Sequence, residues 1–137
     1  MFERMVVAID GSPQSSKTIP VAIDLAQKYA SSVVVVHVRE HTRYEGTDVD
    51  MGPPIPATEL VDSVVARFRE ANVDARGEIR RIASGKTAEQ IVEVASASEA
   101  DLIVMGTQGM TELKSLVLGG VANKVVHHAH CPVLLVR

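Results

Sequence analysis

The sequence predicts an α/β protein in which an open, parallel sheet of five strands carries helices on both faces. Short runs rich in β-branched residues alternate with stretches whose apolar residues recur at helical spacing. Most of these runs are apolar at nearly every position, which indicates strands that are buried on both faces. Strands and helices that alternate in this order predict parallel pairing through right-handed crossovers.

The first strand and helix are predicted from the start of the chain. Met5–Ile9 is compact and apolar, and Asp10 follows it at the expected end of the strand. Ser12 is a residue type that caps helix N-termini, and Pro13 suits the first helical position. A helix should therefore follow the strand directly and run to about Ala30.

The middle of the chain predicts a second strand, a long loop, a helix and an edge strand. Val33–Val38 is an unbroken β-branched run, and Arg39–Pro56 follows it without periodicity, which predicts a long loop. Apolar residues between Ala57 and Phe68 trace one face of a surface helix. Arg76–Ala83 is charged, so this strand should lie at an edge of the sheet.

The last third of the chain predicts strand, glycine loop, helix and strand. Leu102–Met105 is the fourth strand, Val121–Ala129 has helical spacing and Val133–Val136 is the last strand. Glycines take positive φ freely and let a ligand approach the main chain closely. Where such a loop meets a helix N-terminus, outward N–H groups suit a phosphate. The glycines concerned are Gly106, Gly109, Gly119 and Gly120.

Length and composition limit the possible functions. At 137 residues, with 46% apolar and 23% charged residues, the chain has the size of one domain spanning 1–137. The net charge of −3 argues against a nucleic-acid partner. Cys131 is the only cysteine, which fits a reducing compartment. No apolar span of about 18 residues occurs, so we expect a cytoplasmic protein without membrane insertion.

Glycine spacing and strand motifs together resemble one known family. Gly106, two residues, Gly109, nine residues and Gly119 match the nucleotide-binding signature of universal stress proteins. VVAIDGS, VVVVHV and ADLIVMGTQG extend the resemblance, in the right order, over nearly the whole chain. In that family Ser or Thr normally follows the last glycine, whereas this chain has Gly120. The resemblance implies the strand order 3-2-1-4-5 and a role in stress response or regulation.

The resemblance also implies an adenine nucleotide, ATP, ADP or AMP, with Mg²⁺ as a candidate companion. By this resemblance, residues at the end of the first strand would contact adenine and ribose. The main chain of the second strand would also contact adenine, and the glycines would contact the phosphates. The matching positions are Ala8, Ile9, Asp10, Val38, Met105, Gly106, Gly109, Gly119, Gly120 and Val121. The hydroxyl missing at Gly120 should weaken binding by roughly 10- to 150-fold while backbone donors remain.

Several alternatives stay open. Asp10 alone can cap a turn, and the glycines can be purely structural. An ATPase is disfavoured because no G-x-x-x-x-G-K-[ST] loop occurs, so hydrolysis should be slow at most and no catalytic residue is assigned. A receiver-type switch lacks its further acidic residues, and a flavin carrier lacks aromatic residues near strand ends. The main alternative is a family member that has lost the nucleotide and acts only through protein contacts.

Two further features concern partners and metals. The apolar strand at 132–136 invites pairing with a second copy, so we expect a homodimer through it, and a client protein is a further candidate partner. His37 should be a packed or hydrogen-bonded histidine. His127 and His128 point about 100° apart on a helix and do not predict a metal site.

Overall fold

The computed structural model describes residues 1–83, 85–107 and 119–137. Strands and helices alternate along them, apart from one hairpin. In chain order they are β1 (Arg4–Ala8), α1 (Pro13–Tyr29), β2 (Ser32–Tyr44), β3 (Thr47–Asp50), α2 (Ala57–Glu70), β4 (Asp74–Ala83), α3 (Thr87–Ala97), β5 (Leu102–Gly106), α4 (Gly120–His128) and β6 (Val133–Val136).

The sheet confirms the predicted fold class. The parallel strands lie in the order β4-β2-β1-β5-β6, which is 3-2-1-4-5 when the predicted strands are numbered along the chain. At the centre, Val6 of β1 is paired with Val34 of β2 and with Ile103 of β5. β4 pairs only with β2 among the described strands, so the charged strand lies at an edge as predicted.

The prediction of a long loop at Arg39–Pro56 is wrong for its first part, which contains a sixth strand. β2 continues to Tyr44, and β3 returns antiparallel to it, with His41 opposite Asp50 and Tyr44 opposite Thr47. Glu45 and Gly46 join them with φ of 48° and 77°, the backbone signs of a type I′ hairpin turn. The described sheet is therefore mixed, because an antiparallel hairpin extends five parallel strands.

Alternate residues of the central strands serve two separate cores, which explains why these strands are apolar at every position. Met5, Val7 and Ile9 pack toward α1 and α2. Val6 and Ala8 pack toward α3 and α4. Each fully buried Val or Ile contributes about 1.5–3 kcal/mol to folding, so packing on both faces stabilises the central strands.

No helix in residues 1–83, 85–107 and 119–137 combines the length and the apolar character needed to cross a bilayer.

Candidate functional site

The candidate site lies where the two central strands end. β1 and β5 are parallel neighbours, with Val7 opposite Val104. From β1 the chain enters α1 on one face of the sheet, and α4 lies against the other face. Such a divergence opens a crevice at the carboxyl ends of the strands, which is where open α/β sheets hold their ligands.

The tip of β1 is fixed by a small hydrogen-bond network. Ser12 caps α1, since its Oγ accepts the N–H of Ser15 at 3.1 Å. Asp10 Oδ1 accepts the N–H of Ser12 at 2.9 Å, and the Asp10 N–H donates to Ser15 Oγ at 3.1 Å. Asp10 is half-buried, whereas Ala8 and Ile9 before it are buried. The turn-capping role of Asp10 is therefore present, and its carboxylate keeps further lone pairs for a ligand.

The tip of β5 is joined to the start of α4. The carbonyl of Thr107 accepts the N–H of Gly119 at 2.8 Å, and the Thr107 N–H donates to Val136 of β6 at 3.0 Å. Met105 is buried and Gly106 is half-buried at the end of the strand. The predicted site residue Gly109 lies outside the described residues. The two ends of the glycine segment are thus held side by side at the crevice.

The first turn of α4 supplies backbone donors. Gly119 is its N-cap with φ −58° and ψ 154°, and no side chain caps the helix within the described residues. An α-helix leaves its first N–H groups without intrahelical partners, and here these belong to exposed Gly120 and Val121. Together with the helix dipole they form a site suited to an anion. The N–H of Gly119 is already used by Thr107.

Val38 exposes a backbone edge beside the same crevice. The Val36 carbonyl accepts the N–H of Ile9 at 3.0 Å, and the Glu40 carbonyl accepts the N–H of Met51 at 2.9 Å. Every second residue of a strand turns its N–H and C=O to the same neighbour, so Val38 faces the gap between Ile9 and Met51. Among the described residues, neither the β1 register nor the β3 register reaches Val38.

The structure corrects the conformational reason given for the glycines. Gly119 and Gly106 do not have positive φ, so left-handed backbone does not explain them. The glycine at the crevice that does need it is Gly11, with φ +82° in the turn after β1. Pro53 Cγ lies 2.9 Å from the position that a Cβ would take there. Its position directly after a strand-ending Asp was the signal that could have identified it.

Sequence reasoning also missed Arg39, a buried arginine beside the site. Its Nη1 lies 3.2 Å from Nε2 of His37, whose Nδ1 lies 2.9 Å from the Ile9 carbonyl. Burial lowers the pKa of His37, and the neighbouring Arg39 lowers it further against the opposing effect of the Ile9 carbonyl. His37 is hydrogen-bonded as predicted, and its neutral ring links Arg39 to the tip of β1.

No group of three His, Cys, Asp or Glu side chains suited to a metal ion occurs within the described ranges. Mg²⁺ stays a prediction.

Comparison with known proteins decides the family. The model of the universal stress protein family matches residues 1–137. The chain belongs to the universal stress protein family. A universal stress protein from Thermus aquaticus is 35% identical over 143 residues, and the alignment covers 100% of each chain.

Solved universal stress proteins share the fold. One from Archaeoglobus fulgidus in complex with dAMP superposes with a TM-score of 0.73 at 23% identity, covering 99% of this chain and 98% of that one. A second, in complex with cAMP, has a TM-score of 0.71 at 23% identity and covers 99% and 97%. Adenine nucleotides are thus found on this fold within the universal stress protein family.

Proposed function

We propose that this universal stress protein binds an adenine nucleotide, ATP, ADP or AMP, at the crevice between β1 and β5 and acts as a regulatory module in a stress response. The observation that carries the proposal is the convergence of three groups on one end of the sheet. Asp10 follows the end of β1, the backbone of Val38 faces the gap beside Ile9, and the first turn of α4 begins next to the tip of β5.

The base and ribose fit the β1 side of the crevice. The N–H and C=O of Val38 form a donor and acceptor pair, which complements the acceptor N1 and the donor N6 of adenine. The carboxylate of Asp10 can accept a ribose hydroxyl while Oδ1 also accepts the N–H of Ser12. Buried Ala8 and Ile9 give this end an apolar floor.

The phosphates fit the α4 side. N–H groups of Gly120 and Val121, together with the helix dipole, favour a negative charge in front of this helix. Gly106 and Gly119, which lie next to and within the Thr107–Gly119 hydrogen bond at this side of the crevice, carry no side chain. Lacking the family's hydroxyl at Gly120, the site depends on backbone donors, so AMP and ADP should bind nearly as well as ATP.

The decisive experiment has two parts. Freshly purified protein is denatured and the supernatant is chromatographed for adenine nucleotide, and nucleotide-free protein is then titrated with ATP, ADP and AMP by calorimetry. We expect released nucleotide or saturable heat with all three. No release and no heat at millimolar ATP would contradict the proposal.

A homodimer through residues 132–136 is part of the proposal. Thr107 donates to the Val136 carbonyl and Ile103 to that of Pro132, so even-numbered residues of β6 face β5. Val133 and Leu135 therefore turn their backbone groups to the other edge, which no described strand covers. A two-fold axis there would pair β6 with its own copy and remove an open edge.

The second candidate is a member that acts only through protein contacts with a client. The observation that favours it is the N–H of Gly119, which is already paired with Thr107. Gly120 also provides no hydroxyl for a phosphate. Under this reading the protein carries no nucleotide, and the calorimetric titration separates the two candidates. The cytoplasmic location and the single domain spanning 1–137 stay predictions.

A further inference from the structure

The Arg39 side chain binds the segment that follows the hairpin. The side chain is only 5% exposed, and its Nε is 3.0 Å from Asp50 Oδ2 in an ion pair. Nη2 donates to the carbonyls of Pro53 at 2.7 Å and Ile55 at 2.8 Å. The remaining nitrogen, Nη1, faces His37. One guanidinium therefore fixes a segment of chain at three points, and we call residues 50–56 the clamp segment.

The clamp segment is shaped around the guanidinium. A Cβ on Gly52 would overlap the end of the Arg39 side chain, so the glycine lets the main chain lie directly against it. Asp50 Oδ1 accepts the N–H of Gly52 at 2.7 Å, and this bond is the main reason why the pKa of Asp50 is lowered, with Arg39 adding to it. A lysine cannot reproduce this planar fork of donors.

The clamp segment also forms one wall of the gap at Val38. At its start, the N–H of Met51 is bonded to the Glu40 carbonyl on one side of Val38, whereas Ile9 is bonded to Val36 on the other. Farther along, buried Pro53 packs against the turn after β1 at Gly11. Both boundaries of the gap thus depend on chain that Arg39 organises.

His37 ties the opposite wall to the same arginine. The Ile9 carbonyl can only accept, so Nδ1 of His37 carries the proton and donates to it at 2.9 Å. Guanidinium can only donate, so Nε2 of His37 accepts from Arg39. Neutral His37 therefore connects the clamp segment to the tip of β1, and the two walls are held by a single chain of hydrogen bonds.

We propose that Arg39 is a positioning residue that sets the base specificity of the nucleotide site, because it fixes both walls beside the Val38 backbone and so keeps the N–H and C=O of Val38 in place. The proposal rests on the nucleotide site proposed above and names how that site selects its ligand. Guanine presents the acceptor O6 and the donor N1–H, the reverse of adenine. A fixed N–H and C=O at Val38 therefore favours adenine over guanine. If the walls beside Val38 become mobile, the site should discriminate less between the two bases.

The test compares ATP and GTP affinities of nucleotide-free wild-type protein, Arg39→Lys and Arg4→Lys by calorimetry. Arg4 starts β1 at the opposite end of the sheet and forms an ion pair with Glu99 at 3.0 Å, so its lysine variant is the matched control. We expect Arg39→Lys to weaken ATP binding about tenfold, the upper end of what one neutral hydrogen bond between Val38 and adenine contributes, with little change for GTP. The ratio of ATP affinity to GTP affinity should narrow by the same factor, and Arg4→Lys should leave both affinities unchanged.

The outcomes separate this inference from the proposed function. A wild-type protein that binds neither nucleotide would overturn the nucleotide site itself. The wild type could prefer ATP while Arg39→Lys weakens ATP and GTP binding equally, or weakens neither. That result would overturn only the role of Arg39. If Arg39→Lys does not fold, Asp50→Asn removes the partner charge at a half-exposed position, and the same narrowing of the ratio is expected.

Discussion

Pro53 Cγ lies 2.9 Å from the point where a Cβ atom would stand on Gly11. This contact brings the segment after the hairpin against the turn after β1, although the two residues are 42 positions apart in the sequence. Gly11 also has φ +82°, so two independent constraints meet at one residue. The turn and the segment are therefore fitted to each other only while position 11 lacks a side chain.

Replacing Gly11 with Ala should destabilise the protein measurably. A left-handed backbone costs a non-glycine residue about 1–2 kcal/mol, and the contact with Pro53 should add about 1–3 kcal/mol of overpacking. Gly46→Ala is the control, because Gly46 has φ +77° with no described atom within 4 Å of the added Cβ. Urea unfolding should show a larger loss for Gly11→Ala, and equal losses would contradict the packing argument.

The parallel core was predictable because its signals are local. Continuous apolar runs such as Val33–Val36 mark strands buried on both faces, and Ser12 followed by Pro13 marks a helix start. β3 was not predicted because its residues are all exposed and mostly polar, so no core imposed a pattern on Thr47–Asp50. The turn at Glu45 and Gly46 carries only one of the two residues that a type I′ hairpin normally prefers.

The candidate site was predictable only in its sequence-local parts. The end of β1 and the glycine segment were visible, and the pairing of β1 with β5 brings Asp10 and Gly106 to the same end of the sheet. Arg39 was invisible because its partners, Asp50 and Pro53, are reached through a hairpin that the sequence did not reveal. A charged residue following a buried strand is usually solvated, and nothing local distinguishes the exception.

Gly120→Ser should tighten the binding of phosphorylated ligands. A Cβ at Gly120 meets no described atom within 4 Å, so the added hydroxyl has room. One hydrogen bond to a charged phosphate contributes about 1.5–3 kcal/mol, or roughly 10- to 150-fold in affinity. Calorimetry should show this gain for ATP and none for adenosine. Gly120→Ala is the control without a hydroxyl, and an equal gain in that variant would exclude a phosphate contact by the serine.

Acidification should destabilise the fold through His37. Its pKa in the folded protein lies below the ordinary value of 6.5, because burial and Arg39 disfavour the charged ring. Between the two pKa values the unfolded chain binds more protons, so stability falls as the pH drops below about 6.5 and levels off below the folded pKa. For each unit by which the folded and unfolded pKa values of His37 differ, the free energy of unfolding falls by about 1.4 kcal/mol over this range.

The measurement is the free energy of unfolding in urea from pH 8 to 5. His37→Asn removes the titrating ring while its amide can still donate toward Ile9, so its stability should change less over this range. Asp10 and Asp50 are the carboxylates whose charges act on His37, and both oppose the effect of Arg39. A variant with the same pH dependence as the wild type would assign the loss to other groups.

The homodimer prediction can be tested with a pair of proline variants in β6. Leu135 turns its N–H to the edge that no described strand covers, whereas Leu134 faces β5 in the pattern set by Thr107 and Val136. Leu135→Pro should therefore abolish the dimer while leaving the β5 ladder intact, and Leu134→Pro should break that ladder and unfold more readily. Sedimentation at tens of micromolar measures the mass, and thermal unfolding measures the fold. Pairing of two β6 edges needs the N–H groups that point outward. A monomeric wild type, or a Leu135→Pro variant that dimerises as strongly as the wild type, would therefore exclude β6 as the dimer interface.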